Sequence, residues 1–270
     1  MNNLKNISLI FEENPISRAY LNYFRIKNHS QNQIVYLIKK SILPKIITKN
    51  MNFTRENEYP LKFLKDQNVV KLIAKIEEFF LLERGFLVSM YRYQNIFDFK
   101  NVIYTENNKI NSSENIIFFN KLKNLNFLNS GKVIFKDIFN SKKNFYHIHP
   151  GYLPLIKGAD ASLHSINNYN ELGASLFKMD RGIDSGEIIY REKIKLVNFK
   201  FERLLNYNYK DLYRIWYSFI DPAIRVWLLD KCFQKQINLD KFIFTENEQA
   251  NYFSFFKKEN LDELFGDIFI

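Results

Sequence analysis

Three of the chain's four histidines, His147, His149 and His164, lie within eighteen residues of one another. Just beyond them, positions 150 to 186 hold seven of the fourteen Gly and Pro residues, where a backbone turns tightly or approaches a ligand. Asn144 to Ile148 (NFYHI) reads as the end of a strand, so His147 and His149, two residues apart, project from the same face. Such a pair suits two kinds of chemistry. Joined by His164 or Asp184 it can hold a metal, although no third ligand stands at an obvious spacing. Beside a carboxylate that sets the imidazole's tautomer and pKa, it can serve acid–base and oxyanion chemistry. Irregular loops at the carboxyl edge of a sheet are where α/β folds carry such groups.

The elements that must position these residues begin with Ile7–Phe11, an apolar strand run, followed by helical spacing over 17–27 and a second strand candidate at Ile34–Ile38. This strand–helix–strand order predicts a βαβ unit and a parallel sheet. Pro60–Leu82 reads as one long amphipathic helix. Phe86–Met90, Val102–Tyr104 and, better, Ile116–Phe119 read as strands, and the polar 105–115 stretch as a loop. Glu12-Glu13-Asn14-Pro15 after the first strand contains no glycine, which argues against a dinucleotide fingerprint.

Composition narrows the function classes. Hydrophobic residues make up 46% of the 270 and charged residues 25%, enough apolar content for a buried core. The net charge is +10, but no run of five basic residues exists, so scattered lysines are favoured over a nucleic-acid patch. Cys232 is the single cysteine, which rules out an internal disulfide, and its apolar helical setting favours a buried structural thiol. No apolar run approaches the ~18 residues of a membrane helix, and charges run through the first thirty positions. The expectation is a soluble cytoplasmic protein with no membrane or nucleic-acid partner.

The loop His147-Ile148-His149-Pro150-Gly151-Tyr152-Leu153-Pro154-Leu155-Ile156-Lys157-Gly158 resembles the N-x-H-P-S-L-L-P-x-x-R-G loop of the folate-dependent formyltransferases. Gly173 to Met179 and Asp184-Ser185-Gly186-Glu187-Ile188 resemble that family's second motif, and 35 positions separate His149 from Asp184, as its connecting helix requires. Gly131 to Phe135 resembles the family's folate-lining segment. The resemblance covers roughly Gly131 to Ile189. It implies an α/β, Rossmann-like, mostly parallel sheet flanked by helices. It further implies formyl transfer from 10-formyltetrahydrofolate to an amine, with His149, Asp184 and His147 catalytic. Gly131, Ile134, Gly182 and Ile183 are implied to bind the folate, and no metal is implied. The chain departs from the pattern at His147, where the family has Asn; at Lys157, where it has Arg; and at Ala161, His164 and Ser175. His164 is expected to pack on the connecting helix rather than react.

A boundary is expected near 196, giving a catalytic domain over 1–196 and a smaller α+β extension over 197–270. Tyr207–Cys232 reads as one or two aromatic-rich helices interrupted at Asp221-Pro222, followed by a hairpin of 242–244 with 252–256 and a short docking helix or tail. This layout resembles the sugar-nucleotide N-formyltransferases more than the methionyl-tRNA enzymes. The expected acceptor is therefore an anionic nucleotide-linked amino sugar for surface polysaccharide. The aromatic C-terminal region leaves room for a homodimer. A relative with altered chemistry and a metal-dependent hydrolase are the competing readings.

Overall fold

The computed structural model describes residues 4–27, 32–37, 60–92, 99–196, 199–201, 204, 207–245 and 248–269. Strand β1 (Ser8–Phe11) is buried along its whole length. Helix α1 (Pro15–Ile26) starts where Asn14 accepts from the Ser17 amide and Pro15 takes the first helical position, which needs no N–H. Strands β2 (Ile34–Tyr36), β3 (Val102–Tyr104), β4 (Asn126–Asn129) and β5 (Asn144–His149) follow, all parallel to β1, with β7 (Glu171–Lys178) antiparallel to β5 and β8 (Ile188–Lys195) antiparallel to β7. The order is β3-β2-β1-β4-β5-β7-β8, so the expected mostly parallel sheet is present. Successive strands lie on opposite sides of β1, which opens a crevice at the carboxyl ends of β1 and β4.

Alternating side chains feed two cores, one on each face of the sheet. Leu9, Phe11, Tyr146 and Ile148 face α1 and the C-terminal helices, whereas Ile10, Phe127 and Phe145 face Phe119 of helix α4 (Ser113–Lys121). Several sequence expectations are corrected. Asp66 caps a fresh helix α2 (Gln67–Phe79) by accepting from the Asn68 amide, so the expected helix over 60–82 is divided. Phe86–Met90 is not a strand but part of helix α3 (Phe86–Arg92), whose first turn is tied to Glu77 by the amides of Gly85 and Leu87. Ile116–Phe119 lies in α4, because Ser112 caps that helix and Asn115 and Phe119 bury at a four-residue spacing. Short apolar runs do not distinguish strand from helix; the caps decided both. Ile38, the end of the second strand candidate, lies outside the described residues.

The two-residue strand β6 (Lys157–Gly158) leads through Asp160 into helix α5 (Ala161–Tyr169), the connecting helix. Strand β9 (Tyr252–Phe253) pairs in parallel with β6, so 252–256 does not form the expected hairpin with 242–244; Ile243 instead donates its amide to the Ile188 carbonyl. Helix α6 (Tyr209–Ile215) runs without a break through a π-helical turn (216–220) into helix α7 (Asp221–Gln234). The expected interruption at Asp221-Pro222 is absent. Asp221 donates its amide to the Trp216 carbonyl, five residues back, and this wide turn accommodates a proline that has no N–H to offer. Trp216, Phe219, Ile224 and Leu228 bury in the same core as β1 and α1. The expected boundary at 196/197 falls where residues 197–198 lie outside the described set. Helix α8 (Lys258–Ile268) buries Leu261, Leu264, Phe265 and Ile268 against the body.

Candidate active site

A cavity of about 540 Å³ opens at the carboxyl ends of β4 and β5. His147, His149 and Asp184 all line it, as do Gly131, Ile134, Gly182 and Ile183. His149 lies opposite Ser175 of β7, whose hydroxyl accepts from the Leu153 amide at 2.9 Å and donates to the Gly151 carbonyl at 2.9 Å. Those bonds fold the 150–154 loop back over the imidazole. A Cβ on Gly151 would stand 2.9 Å from His149 Nε2, so a side chain there would require the imidazole to shift.

The partners of His149 fix its protons. Nε2 stands 3.0 Å from the Ile156 carbonyl, and because a carbonyl only accepts, Nε2 carries the hydrogen. Nδ1 then turns a lone pair toward Asp184 Oδ2 at 3.5 Å, longer than a charged hydrogen bond. Burial holds His149 below the ordinary histidine pKa, in its neutral form. Asp184 adopts left-handed backbone (φ 50°) and accepts from the Gly158 amide at 2.9 Å. Burial penalises its carboxylate, but His149, the Gly158 amide, His147 and Arg225 together hold it below the usual carboxylate range. A neutral imidazole thus faces a carboxylate across a gap that accommodates one proton.

His147 is placed differently. Its Nδ1 donates to the Asn129 carbonyl at 3.1 Å, across the β4–β5 register, and its Nε2 accepts from Arg225 Nη1 at 3.1 Å. Burial, reinforced by the Arg225 charge, pushes its pKa down to about 3. Both ring nitrogens are therefore engaged by the protein.

The opposite wall is a set of residues that sequence reasoning missed. Tyr213, Tyr217, Asp221 and Arg225 follow one another at four-residue spacing along α6, the π turn and α7, and all line the cavity. Four residues overshoot one α-helical turn by roughly 40°, and the single wide turn offsets that drift. Tyr213 and Tyr217 donate to Asp160 Oδ1 at 2.9 and 2.6 Å, while the Phe256 amide donates to Oδ2 at 2.8 Å. Arg225 Nε donates to Asp221 Oδ2 at 2.7 Å, and Nη1 also donates to the Ile148 carbonyl. The signal was present as a polar ladder inside an otherwise apolar helix.

No family model matches the chain. Over 92 residues it is 33% identical to a methionyl-tRNA formyltransferase of Prochlorococcus marinus (strain MIT 9312), a stretch covering 32% of this chain and 28% of that relative's length. Among solved structures it is similar to a sugar N-formyltransferase from a Shewanella species, at 13% identity and a TM-score of 0.46, covering 92% of this chain and 76% of that one. It is also similar to a 4-N formyltransferase from Francisella tularensis, at 15% identity and a TM-score of 0.46, covering 93% and 76%. A third is the N-formyltransferase from Helicobacter canadensis in complex with folinic acid and dTDP-3-aminofucose, at 17% identity and a TM-score of 0.45, covering 92% and 71%. All four are formyltransferases, the class whose motifs the sequence resembles.

The remaining expected residues take supporting places. Ile134 and Ile183, at 52% and 44% exposure, form an apolar lip with Val133 and Phe255. His164 is outside the cavity, its ring 4.5 Å from those of both Phe253 and Phe256 and its Nε2 2.9 Å from the Ser254 carbonyl. Lys157 sits in β6 beside Tyr252. Cys232 is buried, which pushes its thiol pKa well up. Among the described residues no group of three His, Cys, Asp or Glu is placed to hold a metal, and no helix is long and apolar enough to cross a membrane.

Proposed function

We propose that this cavity transfers a formyl group from 10-formyltetrahydrofolate to the amine of a nucleotide-linked amino sugar destined for surface polysaccharide. The observation that carries the reading is the meeting of His149 and Asp184, 35 residues apart in sequence, in one cavity also lined by Gly131–Phe135 and 182–183. The lip of Val133, Ile134 and Ile183 suits a flat heteroaromatic ring. Gly131, Ile134, Gly182 and Ile183 would hold the folate, which supplies an activated formyl group. Lys132 and Arg214 are cavity cations that suit the anionic groups of donor and acceptor. Folinic acid and dTDP-3-aminofucose, the ligands of the Helicobacter canadensis structure, belong to the same two classes.

The chain's own residues manage the proton. Asp184 accepts it from the attacking amine, directly or through water, and the lone pair on His149 Nδ1 shares it. The resulting imidazolium is stabilised by Asp184 on one side and the Ile156 carbonyl on the other. The test is a formyl-transfer assay over a panel of nucleotide-linked amino sugars, with Asp184→Asn as control. Turnover by the parent protein, lost in Asp184→Asn, supports the reading; turnover of no sugar on the panel rejects it.

The engagement of both His147 nitrogens favours a second reading, a relative whose chemistry has changed. Folinic acid binding without transfer, together with turnover restored by His147→Asn, would select that one.

A further inference from the structure

Formyl transfer requires an N–H aimed at the carbonyl oxygen as that oxygen gains charge. Neither histidine offers one. His147 uses Nδ1–H on the Asn129 carbonyl and Nε2 on Arg225, and His149 directs Nε2–H to the Ile156 carbonyl and its lone pair to Asp184. Arg225 is the remaining group beside them. Of its five N–H bonds, one on Nε goes to Asp221, and the two on Nη1 go to His147 Nε2 and the Ile148 carbonyl. Nη2 makes no hydrogen bond within 3.5 Å to the described residues, although the buried Tyr20 hydroxyl lies close enough to the guanidinium to interact with it. The buried side-chain atoms without a partner are Tyr20 Oη and Asp221 Oδ1, so Nη2 is not sealed in the core. The side chain keeps 9% exposure and lines the cavity.

We infer that Arg225 is a catalytic residue of the proposed transfer, its Nη2 edge binding the formyl oxygen and holding the charge it gains. The inference rests on the function proposed above. As the amine nitrogen's lone pair forms the new C–N bond, the carbonyl π pair moves onto oxygen, next to the guanidinium. Collapse restores the C=O bond and breaks the bond to N10 of the folate. N10 receives the proton that Asp184 and His149 took from the amine. Arg225 suits this work because its donors are fixed before substrate arrives: Asp221 and Ile148 hold the guanidinium plane, and the π turn holds the helix. It also explains why a histidine is tolerated at 147. There the ring serves as a hydrogen-bond acceptor that orients Arg225, and the missing amide donor is replaced from the helix opposite.

The experiment compares kcat, KM, folinic acid affinity and thermal melting for the parent, Arg225→Lys, Arg225→Gln, Arg225→Ala and the double variant Asp221→Asn/Arg225→Gln. The double variant removes the carboxylate that Arg225→Gln alone would strand, so a folded protein is available even if the single change unfolds. We expect kcat to fall about 10²–10³-fold in the Gln variants while KM and folinic acid affinity stay within about threefold. Millimolar guanidinium should restore part of kcat to Arg225→Ala, and urea, neutral and of the same shape, should not. A folded double variant with kcat within about threefold of the parent overturns the inference, as does rescue by urea equal to that by guanidinium. An active parent with active variants therefore sinks the inference alone. A parent that binds folinic acid but formylates no acceptor sinks the proposed function, and the inference falls with it.

Discussion

The two walls of the cavity are built on different principles. On the strand wall, His147, His149 and Asp184 each have a main-chain partner, the carbonyls of Asn129 and Ile156 and the amide of Gly158, and His147 alone also takes a side-chain donor, Arg225. On the helical wall, side chains hold side chains, with Asp160 clasped by Tyr213 and Tyr217 and Arg225 paired with Asp221. Main-chain partners survive most substitutions, whereas a side-chain network fails when either member changes. The strand wall therefore tolerates change with loss of chemistry but little loss of stability. The helical wall loses stability first.

Four measurements separate the walls, in descending size of effect. Asp184→Asn should lower kcat by about 10²–10⁴-fold, the range for a lost proton acceptor, with melting and folinic acid affinity nearly unchanged; full turnover in this variant would remove Asp184 from the mechanism. Asp221→Leu, which strands the buried Arg225 charge, should instead cost about 3–5 kcal/mol in urea denaturation. A cost near zero would show that the ion pair does not support the helix.

The third measurement is a pH series. His147 has its folded pKa pushed down to about 3, so below about pH 6.5 the unfolded chain binds a proton that the folded protein refuses. Stability should decline from pH 6.5 toward 3, by an amount on the order of a few kcal/mol, and His147→Gln should flatten much of that decline. An equal decline in both proteins would assign it to other groups. Smallest is Tyr217→Phe, which removes one hydrogen bond to Asp160 and should cost about 1–2 kcal/mol. A cost near zero would show that Tyr213 and the Phe256 amide hold Asp160 without it.

The legibility of these features follows the same division. His149, Asp184 and the Gly131–Phe135 loop were readable because their segments resemble the motifs of the formyltransferases, while strand alternation put His147 and His149 on one face. Arg225 was legible only as one rung of a four-residue polar ladder in an otherwise apolar helix, and the partners that give it a role, His147 and the Ile148 carbonyl, come from a strand 77 and 78 residues away. The misread segments have a similar cause. Ile116–Phe119 and Phe86–Met90 have strand-like composition, and only Ser112, Glu77 and the surfaces available for burial turned them into helices. The hairpin expected at 242–256 failed because β9 found a better edge at β6 than on its own neighbour.

By itself the sequence determined the parallel start of the sheet, since hydrophobic period acts over a few residues, and it linked His149 to Asp184 only through the resemblance of their two motifs. Only the tertiary structure decided what His147 does. Its protons depend on Asn129 across the sheet and on Arg225, 78 residues onward, and no local pattern encodes a partner brought in from that distance.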